Sequence, residues 1–242
     1  MKDLLFEIGV EELPHGFIPG AISQLVEKAR AFLNEENLPF TDLKSFSTPR
    51  RLAILVSGLP ESQADREIFK KGPLLKAALQ NGALAPAGKG FLKSFGIESL
   101  AEKDLVDADK TPAKKDGAYF KTENGQTFLY GFQFVRGRKT SDILTDRLPK
   151  LIAALEFPKS MRWAEFEFPF ARPIRWILAL FGSDVVPFTV AGIVSANATY
   201  GHPQFFPRTE KVVVNKPTDY ADTLRKKKVL ASSEERQDSI RK

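Results

Sequence analysis

Four short segments of the sequence place arginine or lysine side chains beside aromatic rings, prolines or turns. Such cations suit phosphate groups, because a side chain on a preset backbone loses less conformational entropy on binding. Flat rings and guanidinium planes in the same segments suit unpaired RNA bases, at about 1–3 kcal/mol for each stacked base. The candidate RNA-binding residues are Arg50, Arg51, Lys70, Lys71, Lys159, Arg162, Arg172 and Arg175.

The same side chains could instead support the fold. An arginine packed over an indole forms an internal cation–π contact, and we expect Trp163 and Trp176 to lie in the core. For four of the arginines, the sequence does not decide between phosphate binding and a structural ion pair. These are Arg50, Arg51, Arg162 and Arg172.

The sequence offers little for bond-making chemistry. It has no cysteine, which excludes a disulfide framework, a cysteine-based zinc site and a thiol nucleophile. It has two histidines, no P-loop and no dinucleotide-binding fingerprint. Glu11 and Glu12 are adjacent, so in an extended segment their carboxylates point to opposite faces. We therefore expect no catalytic residue and no metal ligand, and we interpret His202 as a hydrogen-bonding residue of a loop.

Composition predicts an ordinary globular protein. Of 242 residues, 43% are hydrophobic, and 20 phenylalanines carry too much apolar area for a disordered chain. The net charge of +6 is weak evidence for a polyanionic partner. The apolar runs are too short to span a bilayer, and the first residues lack a signal core. We expect a soluble cytoplasmic protein without a membrane partner.

Strands and helices alternate along the chain and must position these cations. Apolar spacing predicts strands over residues 4–10, 40–46 and 51–57 and a helix over 18–33. Glycine and proline divide residues 60–115 into short segments, and this pattern predicts short helices over 74–83, 88–95 and 99–106 between polar loops. A hairpin around Asn124-Gly125 follows, then a helix over 141–155 and strands over 172–181 and 185–193.

We therefore predict an α+β fold in which a mixed β-sheet is flanked by helices. The predicted body domain comprises residues 1–60 and 116–215. Residues 61–115 are predicted to form a small inserted helical or loop subdomain. Residues 216–242 are dense in charge and are predicted to begin a further helical domain.

Six ordered blocks of the sequence resemble one protein family. Residues 6–14 (FEIGVEELP) closely resemble the opening of the β subunit of the bacterial tetrameric glycyl-tRNA synthetase. The blocks that follow, in that family's order, are residues 48–53, residues 65–68 with 71–73, residues 158–163, residues 170–176 and residues 200–202.

The resemblance implies an α2β2 class II aminoacyl-tRNA synthetase that joins glycine to its tRNA. It implies that ATP and glycine bind the α subunit, so that this chain has no cofactor of its own. The implied partners are tRNA-Gly, the α subunit and a second β subunit. The region is also similar to the body and tail domains of archaeal CCA-adding enzymes, which hold the top half of a tRNA. This similarity implies the acceptor arm as the ligand. The β chain of the synthetase family is much longer than 242 residues, so the family resemblance implies that this sequence is its N-terminal part.

Three functions are weighed. The leading hypothesis is that the chain binds the acceptor arm of tRNA, mainly through contacts with its phosphates. The rival is a scaffold that docks the α subunit while other β domains bind the tRNA. A third, less favoured alternative is a hydrolase that uses Glu11 and His202.

Overall fold

The computed structural model describes residues 1–81, 83–97, 105–111, 115–163 and 166–241. The chain divides into two compact units. We call Met1–Gln63 with Arg138–Lys242 the main unit, and Ala64–Gly137 the inserted unit.

The elements follow one another in this order. The main unit begins with β1 (Lys2–Val10), α1 (Ile18–Glu35), β2 (Asp42–Thr48) and β3 (Arg51–Leu59). The inserted unit contains β4 (Arg66–Leu74), α2 (Leu75–Ala78), β5 (Leu79–Gln80), β6 (Ala83–Leu84), α3 (Pro86–Lys93), β7 (Val106–Asp107), β8 (Gly117–Glu123) and β9 (Gln126–Val135). The main unit resumes with α4 (Thr140–Ala153), β10 (Met161–Trp163), β11 (Phe166–Phe170), β12 (Ile174–Phe181), β13 (Asp184–Val185), β14 (Thr189–Val190), β15 (Ile193–Ala196), β16 (Ala198–Tyr200), β17 (Lys211–Val213), α5 (Tyr220–Lys226) and α6 (Ser233–Arg241).

A seven-stranded sheet forms the centre of the main unit. Its order is β14-β15-β12-β1-β3-β2, with β13 paired to β12. The strands β12 and β15 run parallel, and the other pairs are antiparallel. Because β1 lies between β3 and β12, its C-terminal end meets the start of both neighbours: Gly9 pairs with Arg51, and Val10 pairs with Ile174.

Both faces of β1 are buried. Its alternate residues Leu4, Phe6 and Ile8 join α1 and α4 in one hydrophobic core, because successive side chains of a strand point to opposite faces. The helix α1 contributes a buried stripe at three- and four-residue spacing, including Ala21 and Leu25. A strand covered on both sides therefore reads as an almost continuous apolar run.

A second core covers the opposite face of the sheet. Leu5 of β1 packs there with Tyr220, Leu224 and Val229, all of which are buried. The prediction that residues 216–242 begin a separate domain is therefore wrong for its first part. The charged residues 225–228 lie between the apolar residues Leu224 and Val229, which are buried in this second core. The helix α6, in contrast, buries no side chain.

The inserted unit is built on a sheet rather than on helices. Its described strands follow the order β4-β9-β8-β7, so the hairpin predicted for the body belongs to the insertion. The predicted boundary at 61–115 is corrected to Ala64–Gly137. Residues 66–74 form a strand because β9 pairs with them over most of their length, a partner that lies far along the chain.

The sequence predicts the hairpin turn at Asn124-Gly125 correctly, although it does not predict the sheet of the inserted unit. Asn124 and Gly125 adopt φ angles of 51° and 74° between β8 and β9, as a tight hairpin turn requires. The predicted helix over 74–83 shortens to α2, and most of that over 99–106 lies outside the described residues. The predicted strand over 185–193 is divided into three short strands, and Ala191 and Gly192 turn with positive φ between the second and the third. Within the described residues, no helix is both long and apolar enough to cross a membrane.

Candidate nucleic-acid interface

Three adjoining pockets form one groove on the main unit. The arginine pocket, about 330 Å³, is lined by Glu11, Glu12, Arg50, Arg172 and Arg208. The aromatic pocket, about 140 Å³, adds Arg175, Trp176 and Tyr200. The apolar pocket, about 450 Å³, adds Thr48, Pro49, Val229 and Leu230. Because Arg50 lines all three, we treat them as a single feature, the arginine groove.

Sheet topology brings the groove together. Arg50 lies in the turn between β2 and β3, and its carbonyl oxygen accepts a 2.9 Å hydrogen bond from the amide of Val10. The amide of Glu11 donates to the carbonyl oxygen of Pro173 at 3.0 Å, just before β12. Backbone hydrogen bonds at one end of the sheet therefore join three segments. They are the segment with Glu11 and Glu12, the turn with Arg50, and the segment with Arg172.

The groove concentrates positive charge. Partial burial lowers the pKa of the Arg50 guanidinium from its ordinary value, and the positive charge of Arg208 lowers it further. Arg175 Nη1 lies 3.6 Å from Glu11 Oε1, and both of these side chains are exposed. Arg50, Arg172 and Arg208 form no ion pair within the described part of the chain. Because the guanidiniums repel one another, a bound anion would lower their electrostatic energy.

Arg51 lines the apolar pocket, but its side chain is held almost entirely inside the protein. It is 3% exposed, and its Nε lies 3.7 Å from Glu7 Oε1. Its Nη2 donates to the carbonyl oxygen of Tyr200 at 2.7 Å, and its guanidinium lies 5.8 Å from the ring centre of Trp176. The guanidinium is thus held inside the protein against a carboxylate, which favours the structural ion pair over phosphate binding, the two alternatives left open for Arg51.

Glu7 is a structural residue that sequence reasoning missed. Its carboxylate is fully buried and accepts hydrogen bonds from the Trp176 indole, the Thr199 hydroxyl and the Tyr220 hydroxyl. Burial raises the pKa of Tyr220 well above its usual range, and the negative charge of Glu7 adds to this effect. A glutamate in the middle of the apolar run 4–10 was the available signal, since a buried charge requires partners.

The partners of Glu7 connect this cluster to the groove. Trp176 itself lines the aromatic pocket, Arg51 itself lines the apolar pocket, and Thr199 is the chain neighbour of Tyr200 in the aromatic pocket. The indole of Trp176 is 7% exposed, as expected of a core residue, and packs edge-on against Tyr200 at 4.9 Å between ring centres. Glu7 therefore positions the groove from inside the main unit.

Four other predicted cations lie outside the described groove. Lys159 and Arg162 are exposed around β10 and, within the described residues, line none of the three pockets. Lys70 and Lys71 are exposed on β4 of the inserted unit. The Lys71 ammonium lies 2.7 Å from the Glu123 carboxylate and lowers the pKa of that carboxyl. Lys71 Nζ also lies 3.6 Å from the ring centre of Phe128.

Three cations of the groove were not singled out from the sequence. Arg208 is exposed in the loop between β16 and β17, and Lys228 and Arg236 line the apolar pocket. Arg236 Nη1 donates to the carbonyl oxygen of Leu230 at 2.7 Å and so supports that wall. Arg208 follows Phe206-Pro207, which is the same aromatic–proline–arginine pattern used for the other candidates, so that pattern could have found it.

His202 belongs to the loop that closes the apolar pocket. Its Nδ1 accepts a 3.3 Å hydrogen bond from the amide of Gln204, and its own amide donates to the carbonyl oxygen of Lys227 at 3.0 Å. These contacts agree with the interpretation of His202 as a hydrogen-bonding loop residue. Its ring lies 5.2 Å from that of Phe205, centre to centre.

Guanidiniums from distant segments converge in one concave surface, an arrangement whose charge is complementary to a polyanion. Residues 4–242 match the family described as glycyl-tRNA synthetase beta subunit. The chain belongs to this family, which confirms the resemblance seen in the sequence.

Curated relatives agree with the family match. The chain is 39% identical over 241 residues to the glycine–tRNA ligase beta subunit of Halalkalibacterium halodurans, covering 99% of this chain and 32% of that protein. It is 40% identical over 242 residues to the beta subunit of Desulfitobacterium hafniense, again covering 99% and 32%. A glycine–tRNA ligase of Chlamydia pneumoniae is 36% identical over 236 residues, covering 97% of this chain and 22% of that protein. The chain thus spans about a third or less of the length of these relatives.

Proposed function

We propose that the arginine groove binds tRNA phosphates and that this chain is the tRNA-recognition portion of a glycine–tRNA ligase β subunit. One observation carries the proposal: Arg50, Arg172 and Arg208 come from three distant segments and line a single pocket. Charge-assisted hydrogen bonds from arginine to phosphate are among the strong interactions in proteins. A guanidinium held on a turn also loses less conformational entropy on binding than one on a free side chain.

The bound part of the tRNA is proposed to be its acceptor arm. The relatives are named glycine–tRNA ligases, and the sequence resembles the body and tail domains of archaeal CCA-adding enzymes. In this proposal the main and inserted units correspond to those two domains. An α subunit holds ATP and glycine and attaches glycine to the tRNA, in an α2β2 assembly with a second β subunit.

Alanine substitutions at the arginine pocket test phosphate binding. Arg50→Ala, Arg172→Ala and Arg208→Ala are each expected to weaken binding of tRNA-Gly about tenfold, the loss of roughly one hydrogen bond to a charged group. Fluorescence anisotropy with end-labelled tRNA at fixed salt measures the dissociation constant. Lys150→Ala is the matched control, because Lys150 is an exposed cation on α4 that lines none of the groove pockets described.

The scaffold alternative makes the opposite prediction. If all three arginine variants bind tRNA as tightly as the wild type, the groove is not the RNA site. If the chain then still captures purified α subunit without RNA, the scaffold function replaces the proposal. Thermal melting of each variant verifies that the fold is retained, which is expected because these arginines are exposed or half-buried and form no ion pair within the described residues.

A further inference from the structure

The arginine groove contains carboxylates that phosphate binding does not explain. Glu12 lines both the arginine pocket and the apolar pocket, and it is exposed. Unlike Glu11, which pairs with Arg175, Glu12 makes no ion pair or hydrogen bond among the residues that the structure describes. Its negative charge acts on the Arg50 guanidinium at longer range and partly offsets the lowering of the pKa of Arg50. A carboxylate repels phosphate, so a groove that bound only the RNA backbone would have a higher affinity without Glu12. Glu12 therefore indicates a ligand that also offers hydrogen-bond donors.

The apolar pocket next to Glu12 has the size and lining of a small-ligand site. Its volume of about 450 Å³ lies within the range of about 300–1,000 Å³ that is usual for such sites. Pro49, Val229 and Leu230 give it apolar walls. Apolar walls accept the faces of a flat aromatic ring, and Glu12 is the carboxylate that lines the same pocket.

Arg50 joins this pocket to the phosphate-binding part of the groove. It lines the apolar and the arginine pocket, as Glu12 does. A ligand with an anionic group at Arg50 can therefore place an attached ring in the apolar pocket. A nucleotide has this composition, because its phosphate, sugar and base are linked and the base is flat. Bases become available in this way when they are unpaired and splayed out of a helix.

The donors of the base decide which nucleotide fits. The Watson–Crick edge of guanine carries two adjacent donors, N1–H and N2–H, which match the two oxygens of a carboxylate. Uracil carries one N–H between two carbonyl oxygens, and these oxygens are repelled by a carboxylate. Cytosine and adenine each offer one amino donor beside a ring nitrogen that accepts. Glu12 therefore favours guanine.

We propose that the apolar pocket binds one unpaired guanosine of the RNA, with the base edge at Glu12 and the attached phosphate at Arg50. The inference rests on the proposed function, because it assigns a nucleotide to the groove that binds tRNA. It adds base selectivity to a surface whose other contacts are indifferent to sequence. Glu12 is thus a specificity-determining residue.

Competition by short RNAs tests the proposal. The protein is first bound to labelled tRNA-Gly, and the pentamers UUGUU, UUIUU and UUUUU are then added as competitors. Inosine retains N1–H but lacks the N2 amino group, so it isolates one of the two donors. We expect UUGUU to compete at least about fivefold more strongly than UUUUU, the lower bound for a good bidentate contact, with UUIUU between them.

Glu12→Gln separates base selectivity from phosphate binding. The variant keeps the size of the side chain, and its amide can donate to uracil, so UUGUU and UUUUU are expected to compete equally within about twofold. Glu27→Gln is the control, since Glu27 is an exposed carboxylate on α1 outside the described groove. Arg50→Ala is expected to weaken all three competitors while the order of their affinities is retained.

The outcomes distinguish this inference from the proposed function. If tRNA binds through the arginines but UUGUU competes no better than UUUUU, or if Glu12→Gln keeps the preference, the guanosine site is wrong and the tRNA site stands. If tRNA does not bind, both fail. Because Glu12 is exposed and makes no ion pair or hydrogen bond among the described residues, its substitution is expected to leave the melting temperature unchanged.

Discussion

Replacing Glu7 with alanine is expected to lower the free energy of unfolding of the main unit by about 3–5 kcal/mol, the usual cost of breaking a buried ion pair. The substitution leaves the guanidinium of Arg51 buried without its carboxylate. It also removes the acceptor of the Trp176, Thr199 and Tyr220 hydrogen bonds. Urea titration followed by tryptophan fluorescence measures the effect, because both tryptophans of the sequence lie in the main unit.

The matched control for Glu7 is a glutamate in solvent. Glu27→Ala changes the same functional group at an exposed position of α1, and it is expected to alter the free energy of unfolding by less than about 0.5 kcal/mol. A Glu7→Ala midpoint that coincides with that of Glu27→Ala would contradict the buried cluster. Since the partners of Glu7 adjoin groove residues, the variant is also expected to bind tRNA more weakly in conditions where it remains folded.

A methyl group at Gly9 is expected to destabilise the main unit by about 1–3 kcal/mol or more, the usual cost of overpacking a core. A Cβ at this position would lie 1.9 Å from the Trp176 ring. The ring cannot withdraw freely, because its Nε1 donates to Glu7 and it packs edge-on against Tyr200. Gly9→Ala therefore moves either the strand or the indole, and thermal melting detects the loss.

Gly20 provides the control for this substitution. It lies in α1, and an added Cβ would have no neighbour within 4 Å. Gly20→Ala is therefore expected to be neutral or stabilising by up to about 1 kcal/mol, because alanine favours helix. If Gly9→Ala melts at the wild-type temperature, the close approach of Trp176 to β1 is not required for the fold.

Elements with a clear apolar pattern are predictable from the sequence. The helix predicted over 18–33 corresponds to α1, because its apolar spacing is set by the face it buries. The strand predicted over residues 4–10 corresponds to β1, because burial of both its faces makes it an apolar run. The insertion is not predictable in this way. Residues 66–74 are mostly exposed, and they are a strand because β9 lies beside them, which is a property of the fold and not of the segment.

The site is predictable in part for the same reason. Sequence reasoning predicted three separate cations, Arg50, Arg172 and Arg175. They line one groove because β1 lies between β3 and β12 and pairs with the start of each at the same end of the sheet. Arg50 and Arg51 are adjacent and chemically identical, yet one is half-exposed and the other is buried. Arg51 is held by the Glu7 carboxylate, the Tyr200 carbonyl oxygen and the Trp176 ring, and sequence reasoning did not assign Glu7 a role.

The salt dependence of tRNA binding tests the arginine groove most directly. Each phosphate contact contributes about 0.7–0.9 to the slope of log K against log salt concentration. The slope is measured for the wild type and for a triple variant, Arg50→Ala with Arg172→Ala and Arg208→Ala. If the three arginines each bind one phosphate, the triple variant loses about 2–3 units of slope and binds more weakly at low salt. Equal slopes and equal affinities for the two proteins would contradict the groove as the tRNA site.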